Sequence, residues 1–119
     1  MFANNQTLVA LGTTAVTVFT DPVPLGNNDR LGCILDIHHI QGQGGGPQLL
    51  YLAQVSNDGG QNFVDTGVTD TETAAGVSNV TGEAIGALVR FKYVFSNPTA
   101  SAGQVSTVFF DLHVNLDHA

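Results

Sequence analysis

Alternation of apolar and polar residues is the feature that most limits what this chain can fold into. Three stretches alternate with a period of two, at residues 31–38, 88–95 and 106–116. Successive side chains of a β-strand point to opposite faces, so each stretch places one apolar set on one side of a strand. Residues 49–55 are nearly all apolar, which is typical of a central strand covered on both faces. The pattern predicts an all-β protein.

Turn-forming residues separate these strands at short intervals. Glycine, proline, asparagine and aspartate are concentrated at residues 21–29, 41–47, 57–60 and 97–103. A short stretch from Glu83 to Leu88 is the one helical candidate. Short strands at this spacing predict a single antiparallel β-sandwich spanning residues 1–119, with about seven or eight strands in a jelly-roll-like or other Greek-key topology.

Charged side chains are scarce, at 11% of 119 residues, and the formal net charge is −7. Three basic residues cannot neutralise a run of phosphates, so we expect neither nucleic acid nor an anionic membrane as a partner. The one cysteine, Cys33, excludes an internal disulfide, and its place on the apolar side of a strand predicts an inert buried thiol.

The sequence contains no common catalytic motif. It lacks a Gly-x-Ser-x-Gly elbow and a His-Glu-x-x-His pair, and we predict no enzyme activity, no catalytic residues, no bound metal and no cofactor. The apolar stretch from Leu8 to Phe19 is interrupted by three threonines and a glycine, and no basic residue precedes it. We therefore expect no signal peptide and synthesis in a cytoplasm.

A short motif follows the second strong strand. Ser56, Asp58 and Gly60 match the Asp-box hairpin, Ser-x-Asp-x-Gly-x-Thr-Trp, while Asn62 and Phe63 replace its threonine and tryptophan. The motif resembles the Asp-box of sialidase propellers and of assorted β-sandwich proteins. The resemblance implies a folding device, in which the aspartate binds turn amides and the aromatic ring tucks beneath the hairpin. A calcium or glycan role is the alternative.

Two Asp-x-His pairs are the most informative polar pattern. Asp36 with His38, and Asp111 with His113, each share the face of a strand opposite its apolar set. If a jelly-roll topology makes the two strands neighbours, the four side chains form a cluster. Such a cluster would bind a metal ion or make a pH-dependent contact, whereas separate strands would leave two solvated faces. His39 falls on the apolar side and is predicted to be a neutral residue at the core edge.

The uncharged surface predicts contacts with other protein chains. Interface cores are poor in charge and rich in aromatic residues, and edge strands with so little lysine are poorly protected against pairing. Arg90 is expected to have a carboxylate partner in the chain or to anchor an acidic partner. The candidate interface residues are Pro22, Pro24, Gly44, Gly45, Pro47 and Arg90.

The layout of the chain resembles a group of viral proteins. A threonine-rich first strand is followed by a strong strand ending in "QVSNDGGQNF", then by "LVRFKYVF" and an apolar last strand. This is similar to small β-sandwich structural proteins of tailed bacteriophages. The resemblance implies a virion protein of the head-decoration or minor capsid type that binds the major capsid or another virion protein and forms homo-oligomers, a trimer being favoured. The alternative is a glycan- or receptor-binding sandwich module, which could be a tail component.

Overall fold

A computed structural model describes residues 3–43 and 46–118. This part of the chain forms nine β-strands and no α-helix, which confirms the predicted all-β class. The strands are β1 (Ala3–Leu11), β2 (Val16–Phe19), β3 (Val23–Pro24), β4 (Arg30–Gln41), β5 (Gln48–Ser56), β6 (Val64–Glu72), β7 (Gly76–Glu83), β8 (Leu88–Ser96) and β9 (Val105–Asp117). No helix able to cross a membrane occurs in the described ranges.

The strands form two antiparallel sheets packed face to face. The first sheet has the order β1-β9-β4-β7, and the second has the order β2-β8-β5-β6, with β3 also paired to β8. This is the strand order of an eight-stranded jelly roll whose second strand is divided into β2 and β3. Pro22 lies at the division, where its missing N–H interrupts the ladder, and Thr20 keeps the chain on β8 through two hydrogen bonds to Phe91.

The core lies between the sheets and is filled by the inward side chains of the alternating strands. Leu35 and Phe110 of the first sheet and Tyr93 of the second are at most 1% exposed. The rings of Tyr93 and Phe110 meet edge to face at 5.2 Å. Cys33 is buried as predicted, and burial raises the pKa of its thiol to about 12.

The helical candidate at residues 83–88 does not form a helix. Glu83 ends β7, and the backbone then bends toward β8. The amides of Ala84 and Ala87 donate to Asp29 and Ser56 instead of bonding along a helix. A Cβ at Gly86 would lie only 2.9 Å from Val55, so this segment is shaped by close packing against β5.

A β-bulge in β4 changes which side chains face the core. Ile37 pairs with Phe110 and His39 with Phe109, so His38 is an extra residue. Beyond the bulge Ile40 takes the inward position, and His39 is exposed, where it contacts Gln41. The prediction that His39 lies at the core edge is therefore wrong.

The glycine-rich connection between β4 and β5 is packed at both of its described ends. Gly42 and Gly46 lie so close to Asn97 that a Cβ at either position would overlap its side-chain amide. Asn97 is fully buried, and its amide donates to the Gln43 carbonyl and the Ser106 hydroxyl, each at 2.9 Å. The loop is therefore anchored to the connection between β8 and β9.

Candidate functional site

The outer face of the first sheet, meaning the side chains that point away from the core, is rich in exposed apolar groups. Nine large apolar side chains are exposed in the described part of the chain, and five of them lie on this face at 44–66% exposure. Exposed apolar side chains concentrated on one face of a protein are typical of interaction sites. The five residues are Val9, Leu11, Ile34, Val77 and Val105.

A three-residue cluster lies on the same face, across strands β4 and β9. Asp36 and Asp111 are directly opposite each other in the ladder. The bulge brings His38 beside them, with its Nε2 2.8 Å from Asp111 Oδ2 and its Nδ1 3.8 Å from Asp36 Oδ1. The imidazole also lies 5.1 Å from the ring of Phe109. We call Asp36, His38 and Asp111 the histidine cluster.

The charges of the histidine cluster favour a protonated imidazole. The hydrogen bond to Asp111 is the main cause of a raised pKa of His38; burial opposes the rise, and the charges of Asp36 and Asp111 add to it. Like charges directly opposite each other in a sheet repel. An imidazolium between the two carboxylates removes that repulsion, so the cluster is a proton-binding group at near-neutral pH.

His113, the fourth residue of the predicted cluster, lies elsewhere on the face. The register places it opposite Ile34, two residues further along β9 than Asp111, and its side chain is exposed. The structure therefore brings together three of the four predicted side chains. Sequence periodicity assigned all four to one face, but the bulge at His38 decides which histidine reaches both carboxylates.

The histidine cluster is also the group best suited to hold a metal ion among the described residues. One ligand atom from each side chain lies within 4.8 Å of the others, and one imidazole with two carboxylates is a ligand set that zinc accepts. In the arrangement described, however, each ring nitrogen faces a carboxylate. This geometry suits a hydrogen-bonded imidazolium better than an imidazole with a nitrogen directed at a metal.

The Asp-box-like hairpin is closed by Asp58. Its Oδ1 accepts hydrogen bonds from the Ser56 hydroxyl at 2.8 Å and from the Asn62 amide at 2.9 Å, and its Oδ2 accepts from the Asn62 side chain. Gly60 adopts a φ of 92° and donates to Ser56. These are the turn contacts that the Asp-box resemblance implies.

The carboxylate of Asp58 makes the hairpin sensitive to acid. The backbone and side-chain amides of Asn62, with the Ser56 hydroxyl, lower the pKa of Asp58 from 3.8 to about 2. Because the folded pKa is depressed, the stabilisation is fully present above pH 3.8 and is lost as the pH falls through about 2. We expect Asp58→Ala to lower Tm at neutral pH, and the difference from the unmodified protein to shrink in that acid range. Calorimetry across pH checks this, and a constant difference would contradict it.

Arg90 has no carboxylate partner among the described residues, so the expected partner within the chain is wrong, while the alternative role as an anchor for an acidic partner stays a prediction. Its guanidinium carbon lies 4.3 Å from the centre of the Phe19 ring and 3.9 Å from that of Phe63. Its Nε donates to Gln54 Oε1 at 2.9 Å, and Gln54 donates in turn to Asp65. Phe63 therefore packs on Arg90, a contact that the sequence motif did not indicate.

The other candidate interface residues fall into three groups. Pro22 and Pro24 are exposed on the connection that contains β3. Pro47, just before β5, is buried inside the fold. Its assignment to an interface is therefore wrong. Gly44 and Gly45 lie outside the described residues.

Comparison of the sequence with models of protein families and with curated proteins gave no match. The observed two-sheet antiparallel fold agrees with the resemblance to small phage structural proteins at the level of architecture only.

Proposed function

We propose that this chain is a non-enzymatic structural protein of a virion, a capsid decoration or minor capsid component that docks through the outer face of the first sheet. The observation that carries the proposal is the concentration of exposed apolar side chains there, from Val9 near one edge to Val77 at the other. Burial of such groups stabilises a contact by about 25 cal/mol per Å² before the cost of association.

Electrostatics supports a docking role for this face. At the centre of this face, the charged side chains belong to the histidine cluster, in which His38 lies between Asp36 and Asp111. A carboxylate pair compensated in this way can be covered by another surface at lower cost than a bare pair. The low overall content of charge, 11%, is also typical of chains that bury much of their surface in an assembly.

We expect the docking face to mediate association of copies of this chain, with a closed trimer favoured. Size-exclusion chromatography with light scattering across a concentration series measures the mass. Ile34→Lys and Val77→Lys introduce a charge on the outer face and should shift the protein to monomer. Both side chains are exposed, at 44% and 66%, so the folded protomer tolerates lysine.

Val64→Lys is the matched control for these variants. Val64 is 62% exposed but begins β6 of the second sheet, away from the docking face. The Val64→Lys variant should therefore have the same oligomeric mass as the unmodified protein. Two results would contradict self-association through this face. One is an unmodified protein that is monomeric at every concentration, and the other is a Val64→Lys control that dissociates as readily as Ile34→Lys.

The virion role has its own test. Mass spectrometry of nuclease-treated particles, purified from the culture that produces the protein, should detect the chain in many copies per particle. Particles that lack the chain would contradict the role while leaving self-association intact.

A second candidate is a glycan- or receptor-binding module, which one observation favours. The missing side chain at Gly32 leaves a shallow depression on the outer face, and Asn79, Thr81 and Asn115 line it. Amide and hydroxyl groups of this kind hydrogen-bond sugar hydroxyls. Glycan-array binding that Asn115→Ala abolishes would favour this candidate, and an array without binding would remove it.

A further inference from the structure

We propose that Arg90 is a binding site for a carboxylate presented by an acidic side chain of a partner polypeptide. The site lies on the outer face of the second sheet, opposite the docking face. The proposal therefore does not depend on self-association through the first sheet.

Two aromatic rings from different elements enclose the guanidinium. Phe19 comes from β2, on one side of β8, and Phe63 comes from the connection between β5 and β6, on the other side. Both ring centres lie within 4.3 Å of the guanidinium carbon, well inside the range of cation–π contacts. The guanidinium is thus packed by one ring from each side of β8, and a ligand would reach it at the edge that carries its N–H donors.

Hydrogen bonds fix the direction of that edge. Nε donates to Gln54 Oε1 at 2.9 Å, and Gln54 is itself held by Asp65 Oδ1 at 2.8 Å. The two terminal amino groups of Arg90 make no hydrogen bond or ion pair with the part of the chain that the structure describes. The side chain therefore keeps several unused donors in one fixed plane.

This geometry selects a planar monoanion. A carboxylate approaching in the plane of a guanidinium can accept two parallel N–H bonds, which is the strongest contact that arginine makes with such a group. Because the side chain is already held, little rotamer entropy is lost on binding. A chain with a net charge of −7 disfavours a dianion such as phosphate. An aspartate or glutamate side chain of a partner fits these requirements.

The test is a titration of the full chain followed by NMR, with the Arg90 Nε–Hε and Gln54 side-chain signals as reporters. The probe is the singly charged peptide Ac-Gly-Glu-Gly-NH2, compared with its uncharged analogue Ac-Gly-Gln-Gly-NH2 and with inorganic phosphate at matched ionic strength. We expect saturable shifts with the acidic peptide at about millimolar concentration, as suits one bidentate ion pair. We expect none with the amide peptide, and weaker binding of phosphate.

Substitutions separate the guanidinium geometry from simple charge. Arg90→Lys keeps the charge but loses the planar fork, and should weaken peptide binding at least about tenfold. Arg30→Lys makes the same substitution on the first sheet and should leave binding unchanged. Dispersed amide signals verify that each variant is folded. Four results would overturn the proposal. Arg90→Lys could bind the peptide as tightly as the unmodified protein, or Arg30→Lys could lose as much binding as Arg90→Lys. Phosphate could bind more tightly than the acidic peptide, or the shifts with the acidic peptide could fail to saturate.

Discussion

Replacing Asn97 with alanine is expected to lower the free energy of unfolding by about 3 kcal/mol, a large share of the stability of a domain of this size. The side chain is fully buried, and its amide nitrogen bridges the Gln43 carbonyl and the Ser106 hydroxyl. Its Oδ1 accepts from the backbone and the hydroxyl of Thr99. Alanine leaves the buried Ser106 hydroxyl without this partner and also removes the bonds that tie Gln43 and Thr99 to it.

Urea unfolding followed by fluorescence or circular dichroism measures this loss. Asn28→Ala is the matched control, because Asn28 is half-buried and its side chain makes one hydrogen bond, to the Leu25 carbonyl at 2.9 Å. We expect that control to cost about 1 kcal/mol. Equal losses in the two variants would show that Asn97 does not organise the β4–β5 and β8–β9 connections.

Much of the fold could be predicted from the sequence because its central strands alternate strictly. The buried positions of residues 31–37 and 106–112 follow from period two alone, and they place the strands in a sandwich. The sequence pattern does not predict the edge strands β1, β6 and β7. Val68 is the only fully buried residue of β6, and the threonines and glycines around it give no clear alternation.

The candidate site was predictable only in part. The Asp-x-His spacing assigned both pairs to the outer face, but which side chains meet depends on the register of β4 with β9 and on the extra residue at the bulge. Neither is encoded in a local pattern. The packing of Phe19 and Phe63 on Arg90 joins residues that are 27 to 71 positions apart, so no local motif indicates it.

Raising the pH is expected to weaken the association that we propose for the outer face of the first sheet, because His38 loses its proton. The folded pKa of His38 is raised above the ordinary value of 6.5. Its contribution to stability is therefore fully present below pH 6.5 and is lost as the pH rises through the raised pKa. Above it, Asp36 and Asp111 face each other across the ladder without an imidazolium between them. Covering the two carboxylates in that state with another copy should raise the dissociation constant by about tenfold to a hundredfold.

Analytical ultracentrifugation from about pH 5.5 to 8.5 follows the dissociation, and NMR titration of the His38 ring gives its pKa in the same buffers. Asp111→Asn removes the main contact that raises the pKa, so the midpoint of dissociation should move to lower pH together with the ring titration. His113→Gln is the matched control, because His113 lies on the same face but outside the histidine cluster. It should leave the midpoint where it is. If the mass were constant across this range, or if the midpoint followed His113 instead of His38, the imidazolium between Asp36 and Asp111 would not control the docking face.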